Sequence, residues 1–180
     1  VSVHNIPLLD ALGRRNRIRF VMSRGEMGGG HMADGYARAS GCLGVLASST
    51  GPGAANTVPA LLEARTAGTP MLHLTGATST KFAGRSGGSV HDAGDQLAML
   101  KSVCKTAYHL SAPQEAVGLL TRAVVEAATL PGGPVSVEIP IDIQRAPVAR
   151  PAIFDRFHLP FAAARVPAEA ELDELAAQVM

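Results

Sequence analysis

Short apolar, β-rich runs alternate along the chain with stretches of helical character. The runs are Ile18 to Ser23 (IRFVMS), Leu43 to Ser48 (LGVLAS), Met71 to Thr75 (MLHLT) and Val135 to Ile139 (VSVEI). Each is a near-continuous apolar segment of the kind that forms a strand buried on both faces. Between them the pattern predicts an Ala/Met/Gly helix from about Gly28 to Ala39 and a second from Ala54 to about Ala67. A third spans Pro113 to Thr129, where Val117, Leu120, Val124 and Ala127 keep helical spacing. Strand and helix in alternation predict an α/β fold, a parallel sheet with helices on both faces. Ligands of such sheets sit beyond the carboxyl ends of the strands. Three loops lie there: Arg24 to Gly30, Ser49 to Asn56 and Gly76 to Asp92.

After Pro140 the texture changes. PIDIQRAPVARP is too punctuated by proline to continue a sheet, and FDRFHLPFAAARVP reads as an extended tether. From Ala168 a new helix begins with acids in its first turn. The chain opens in a loop and a helix. The expected organisation is one domain over 1–145 lacking its first strand, a tether over 146–167, and the start of a following domain over 168–180.

Composition narrows the function classes. The chain is 47% hydrophobic and 17% charged with a formal net charge of +1, so it carries no electrostatic footprint for nucleic acid or an anionic membrane. Cys42 and Cys104 have no metal-ligand or CxxC spacing. Apolar runs fall well short of the roughly 18 residues that suggest a membrane-spanning helix. A cytoplasmic protein acting on a small molecule is the expectation.

The candidate chemistry lies in the first two loops. Glu26 stands after an apolar run and before Gly28, Gly29 and Gly30, where a carboxylate is either a solvated helix-start acid or a functional group set among bare backbone. Gly28, Gly30 and Ala33 formally match a dinucleotide fingerprint. No acid follows between Gly35 and Leu62, however, so the ribose contact of that fingerprint is missing. The second loop, SSTGPGAAN, follows a strand and opens a helix. Its glycines allow close backbone approach to a ligand, and no Lys-Ser or Lys-Thr pair makes it a P-loop.

Taken in order, Arg24 and Glu26, HMADGYARASG (His31 to Gly41), GVLASSTGPGAAN (Gly44 to Asn56), AGTPMLHLTG (Ala67 to Gly76) and GPVSVEIPIDIQ (Gly133 to Gln144) resemble a known domain. It is the amino-terminal, pyrimidine-binding domain of thiamine-diphosphate enzymes of the acetolactate synthase and 2-oxo-acid decarboxylase type. The resemblance implies that Glu26 is the glutamate that hydrogen-bonds ring nitrogen N1′ of the cofactor's aminopyrimidine and promotes the tautomer that removes the C2 proton. It implies that Ser49, Thr50, Gly51, Pro52, Gly53 and Asn56 wall the aminopyrimidine, and that Thr78 to Lys105 is the variable segment near substrate. His91 falls close to the position of a substrate-facing glutamine. His31 and His73 are expected to pack within their elements, and Asp34 and Tyr36 to anchor packing or hydrogen bonds.

The chain departs from the family in having Gly25 where a histidine often precedes the glutamate. It also lacks the Gly-Asp-Gly signature for diphosphate and magnesium; AGDQ, Ala93 to Gln96, does not supply it. The resemblance implies thiamine diphosphate with Mg2+ as cofactor, the diphosphate and metal held by a domain outside this chain, no metal ligands within it, a 2-oxo acid substrate, and a homodimer or homotetramer with the site between subunits. A non-catalytic assembly module with the same fold and a dinucleotide-binding oxidoreductase are the alternatives.

Overall fold

The computed structural model of the chain describes residues 2–82, 85, 88–149, 151–152 and 167–179. Helix α1 (Ile6–Arg15) starts with Pro7 in its first turn, where a missing N–H costs nothing, and ends at Asn16 in the left-handed conformation. An irregular segment leads to α2 (Glu26–Ser40), closed by Gly41 at φ 68°. Next come β1 (Gly44–Ser48), the single turn α3 (Pro52–Ala55), α4 (Val58–Thr66) and β2 (Met71–Ala77). After the loop come α5 (Gln96–Val103), β3 (Thr106–His109), α6 (Ala116–Ala128), β4 (Pro134–Pro140), the turn α7 (Ile141–Gln144) and α8 (Glu169–Val179).

The four strands make a wholly parallel sheet in the order β1-β2-β4-β3. Every residue of β4 is buried, as a strand inside a doubly covered sheet requires. Side chains alternate between two apolar layers. Met71 joins Ala33, Leu46, Leu61 and Leu100 beneath α2, α4 and α5. Leu72 joins Ala123, Ala127, Val135 and Val137 beneath α6. Cys104, at the α5–β3 junction, lies in the first layer, and burial pushes its thiol up to about 12.

The fold class agrees with the sequence pattern; some elements differ. Ile18 to Ser23 forms no strand among the described residues, and Ile18, Phe20, Val21 and Met22 are exposed. Apolar content makes a strand only where a neighbour supplies hydrogen-bonding partners. The helix expected over Ala54 to Ala67 is interrupted at Asn56 and Thr57, just ahead of Pro59. The start of the third helix, Pro113–Glu115, is a 3-10 turn. The tether falls largely on 153–166, outside the described residues.

Glycines of α2 have unequal jobs. A Cβ at Gly30 would lie 2.5 Å from the Ala60 Cβ, whereas one at Gly35 meets nothing within 4 Å. Gly30 and Ala33, two members of the formal dinucleotide fingerprint, therefore serve the packing of α2 on α4 and the sheet. Gly30→Ala should cost roughly 1–3 kcal/mol through overpacking, while Gly35→Ala should gain up to about 1 kcal/mol of helix propensity. Urea unfolding of both variants checks the opposite signs.

His73 in β2 is fully buried between Ser48 Oγ (2.8 Å from Nε2) and Ser136 Oγ (2.9 Å from Nδ1). Burial lowers it to about 3 from an ordinary 6.5. The unfolded chain therefore binds the extra proton first as the medium is acidified. The stability linked to neutral His73 is complete above about pH 6.5 and drains by about 1.4 kcal/mol per pH unit as pH falls toward about 3. His73→Gln should flatten that part of the acid slope, measured as unfolding free energy against pH.

Candidate functional site

The carboxyl ends of the strands converge on the loop after β1. Gly51, at φ 59° and ψ −115°, turns the chain into α3, a conformation available at little cost only to glycine. A Cβ there would collide with the His91 carbonyl. Ser49, Thr50, Gly51 and Gly53 are buried, whereas Pro52, which opens the short helix, and Asn56, which caps it, are exposed.

Glu26 is the first residue of α2, preceded by extended Gly25. It is half-buried. A Cβ on Gly53 would stand 3.0 Å from Glu26 Oε1 and 2.5 Å from Ser49 Cβ. The bare Cα of Gly53 is thus packed directly against the Glu26 carboxyl group and the Ser49 side chain, an approach that a side chain at this position would block. Of the residues expected to act together, Glu26, Ser49 and Gly53 lie side by side.

Behind this wall lies a polar network that sequence reasoning missed. Gln96, the first residue of α5, is placed by Asp95, whose carboxylate accepts from the Ala98 amide at 2.8 Å. The Gln96 Oε1 accepts from the Gly51 amide and from Thr50 Oγ1 (3.1 Å). Its Nε2 donates to the Gly76 carbonyl (3.1 Å) and to Glu138 Oε1 (2.7 Å). Glu138, 4% exposed near the end of β4, meets His109 Nδ1 at 2.9 Å through its other oxygen. These groups border a cavity of about 330 Å³ that also touches Thr78, Thr80 and His91. An acid inside the apolar run VSVEI was the signal available in the sequence.

Residues 2–5 clasp the other side. Asn5 Nδ2 donates to the Ser48 carbonyl at 3.1 Å, and Ser49 Oγ donates to Ser2 Oγ at 2.7 Å. The His4 carbonyl accepts from Gln144 Nε2 at 2.7 Å. Burial, and secondarily His91, hold the His4 imidazole below its ordinary value; the two rings are 5.9 Å apart.

Other expectations meet mixed outcomes. His91 is exposed, with φ 65°. His73 packs in the core, but His31 is exposed on α2 because its position faces away from the sheet. Asp34 is buried and paired in bidentate fashion with Arg38 (3.0 and 2.9 Å). Tyr36 is 58% exposed and anchors no core packing. Among the described residues no group of three or more His, Cys, Asp or Glu is arranged to hold a metal ion, and no helix is long and apolar enough to cross a membrane.

Residues 1–99 match the family described as thiamine pyrophosphate enzyme, N-terminal TPP binding domain. The chain is 35% identical over 148 residues to a probable 2-ketoarginine decarboxylase of Pseudomonas aeruginosa, covering 82% of this chain and 26% of that protein. It is 33% identical over 146 residues to the mitochondrial acetolactate synthase catalytic subunit of Saccharomyces cerevisiae (81% and 21%). It is 38% identical over 143 residues to human 2-hydroxyacyl-CoA lyase 2 (79% and 22%). The chain thus spans about a quarter or less of the length of these relatives.

Gly51→Ala should destabilise the fold by roughly 1–3 kcal/mol, since a side chain is strained at this backbone conformation and meets the His91 carbonyl. A matching fall in the urea midpoint is the expected reading.

Proposed function

The chain belongs to the thiamine pyrophosphate enzymes as an N-terminal TPP-binding domain, and from that premise we propose that it supplies the cofactor-activating glutamate, Glu26, of a lyase or carboligase acting on a 2-oxo acid. The observation that carries the reading is the bare backbone of Gly53 beside Glu26 Oε1. The absence of a side chain at Gly53 lets the half-buried Glu26 carboxyl sit against the turn, where it is placed to share a proton with a ring nitrogen. Thiamine diphosphate supplies, when bound, the carbon nucleophile that attacks a keto group.

In this reading Glu26 holds a proton at the ring nitrogen. Ser49, Thr50, Gly51 and Gly53 exclude water from one face, Pro52 and Asn56 border that face, and His91 stands on the substrate side. Residues 1–145 form the pyrimidine-binding unit, and α8 begins a further domain. The diphosphate and Mg2+ are held by a domain outside this chain. The relatives support the substrate class: two are named for decarboxylation of 2-ketoarginine and for acetolactate synthesis. Assembly of two or four copies is supported by the run of exposed apolar residues Phe20, Val21 and Met22 ahead of α2, surface of a kind that marks interaction sites.

Glu26→Gln in the full-length protein should leave thiamine diphosphate bound but slow deuterium exchange at its C2 by about 10²–10⁴-fold, the usual reach of a positioned acid or base. Exchange is followed by NMR of the bound cofactor. Unchanged exchange in this variant would overturn the assignment.

A further inference from the structure

We propose that Gln96 is the positioning residue of the Thr50 to Gly53 wall, and that Glu138, itself held by His109, fixes the Gln96 amide in the one orientation that serves that wall. The proposal rests on the reading of Glu26 above and extends it to groups that touch neither cofactor nor reacting atoms.

The orientation follows from donor and acceptor chemistry. The Gly51 N–H can only donate and the Gly76 carbonyl can only accept. The Gln96 oxygen must therefore face the turn and its nitrogen the sheet. Glu138 Oε1 takes the second N–H at 2.7 Å, and Thr50 Oγ1 donates to the oxygen at 3.1 Å. All four hydrogen-bonding capacities of the amide are filled in a side chain only 9% exposed. A flipped amide would set donor against donor at Gly51 and acceptor against acceptor at Glu138 and Gly76.

The wall needs such a tie because its own residues cannot provide it. Gly51 and Gly53 have no side chains to restrain the turn, and glycine gives up the most conformational freedom on ordering. Gln96 reaches across 45 residues of sequence to the Gly51 amide. Two residues further along, Gly53 abuts Glu26 Oε1. The line from His109 through Glu138 and Gln96 to the turn thus ends at the carboxyl group proposed to act on the cofactor.

Gln96→Glu tests the idea. The new carboxyl can accept from Gly51 and Thr50, but its second oxygen confronts the Glu138 carboxylate, so it serves only while the two share a proton. Two quantities are read in the full-length protein, each as a ratio to wild type at the same pH. One is the hydrogen-exchange protection of the Gly51 amide; the other is the C2 deuterium-exchange rate of bound thiamine diphosphate. His109, His91, Asp92, Asp95 and Arg85 border the same cavity and are common to both proteins; the double variant with Glu138→Gln keeps all of them and so separates the carboxylate clash from their contribution.

Both ratios should lie near one at about pH 5 and fall at least about tenfold by about pH 8. Combining Gln96→Glu with Glu138→Gln, which restores a donor opposite the carboxylate, should recover most of that loss. Ratios that stay flat with pH, or a loss that the double variant does not recover, would overturn the proposal. The Gly51 measurement needs no cofactor, so it decides the positioning role even if Glu26→Gln refutes the thiamine assignment.

Discussion

The hydrogen bond from the Gly51 amide to the Gln96 side chain joins the two halves of this site. On one side of it is a turn of glycines around a proline, with no side chains to fix its shape. On the other is an α/β sheet whose strands are paired and buried. The bond transfers the rigidity of the sheet to the turn, because Gln96 is simultaneously tied to the Gly76 carbonyl at the end of β2 and to Glu138 near the end of β4. The carboxyl ends of parallel strands are the one place where a sheet offers such anchoring points to loops from several strands at once.

The same sheet carries polar groups through its interior without leaving them unpaired. Ser48, His73 and Ser136 form a row across β1, β2 and β4, with both imidazole nitrogens engaged. Such a row is specified by strand register: His73 is opposite Ser136, and Ser48 lies two positions past the His73 partner Leu46. A slip of one residue would turn these side chains into the opposite apolar layer.

Much of the architecture is legible in the sequence because β2 and β4 are buried on both sides, so apolar runs such as MLHL and VSVEI announce them. β3 is less visible: Thr106–His109 is short and chemically mixed. Ile18 to Met22 misleads for the converse reason, since an apolar run reports hydrophobicity and contains no information about whether a strand lies alongside. The site divides similarly. Glu26 and the Gly51–Gly53 turn follow from loop placement and from the family resemblance. The Gln96 and Glu138 contacts span 20 to 46 residues, and no local pattern encodes which distant carbonyl or amide a buried glutamine will meet. Motif membership predicts packing for His31 and packing or hydrogen bonds for Tyr36, yet the phase of α2 turns both outward.

Cys104 gives the protein a chemical clock. Its thiol is sequestered and, at about 12, almost entirely protonated at neutral pH, whereas Cys42 lies exposed in the loop between α2 and β1. A maleimide therefore finds one sulfur readily in the native protein and the other only when α5 parts from the sheet. The delay between the first and second adduct in a mass spectrum times the opening of the helix that begins with Gln96.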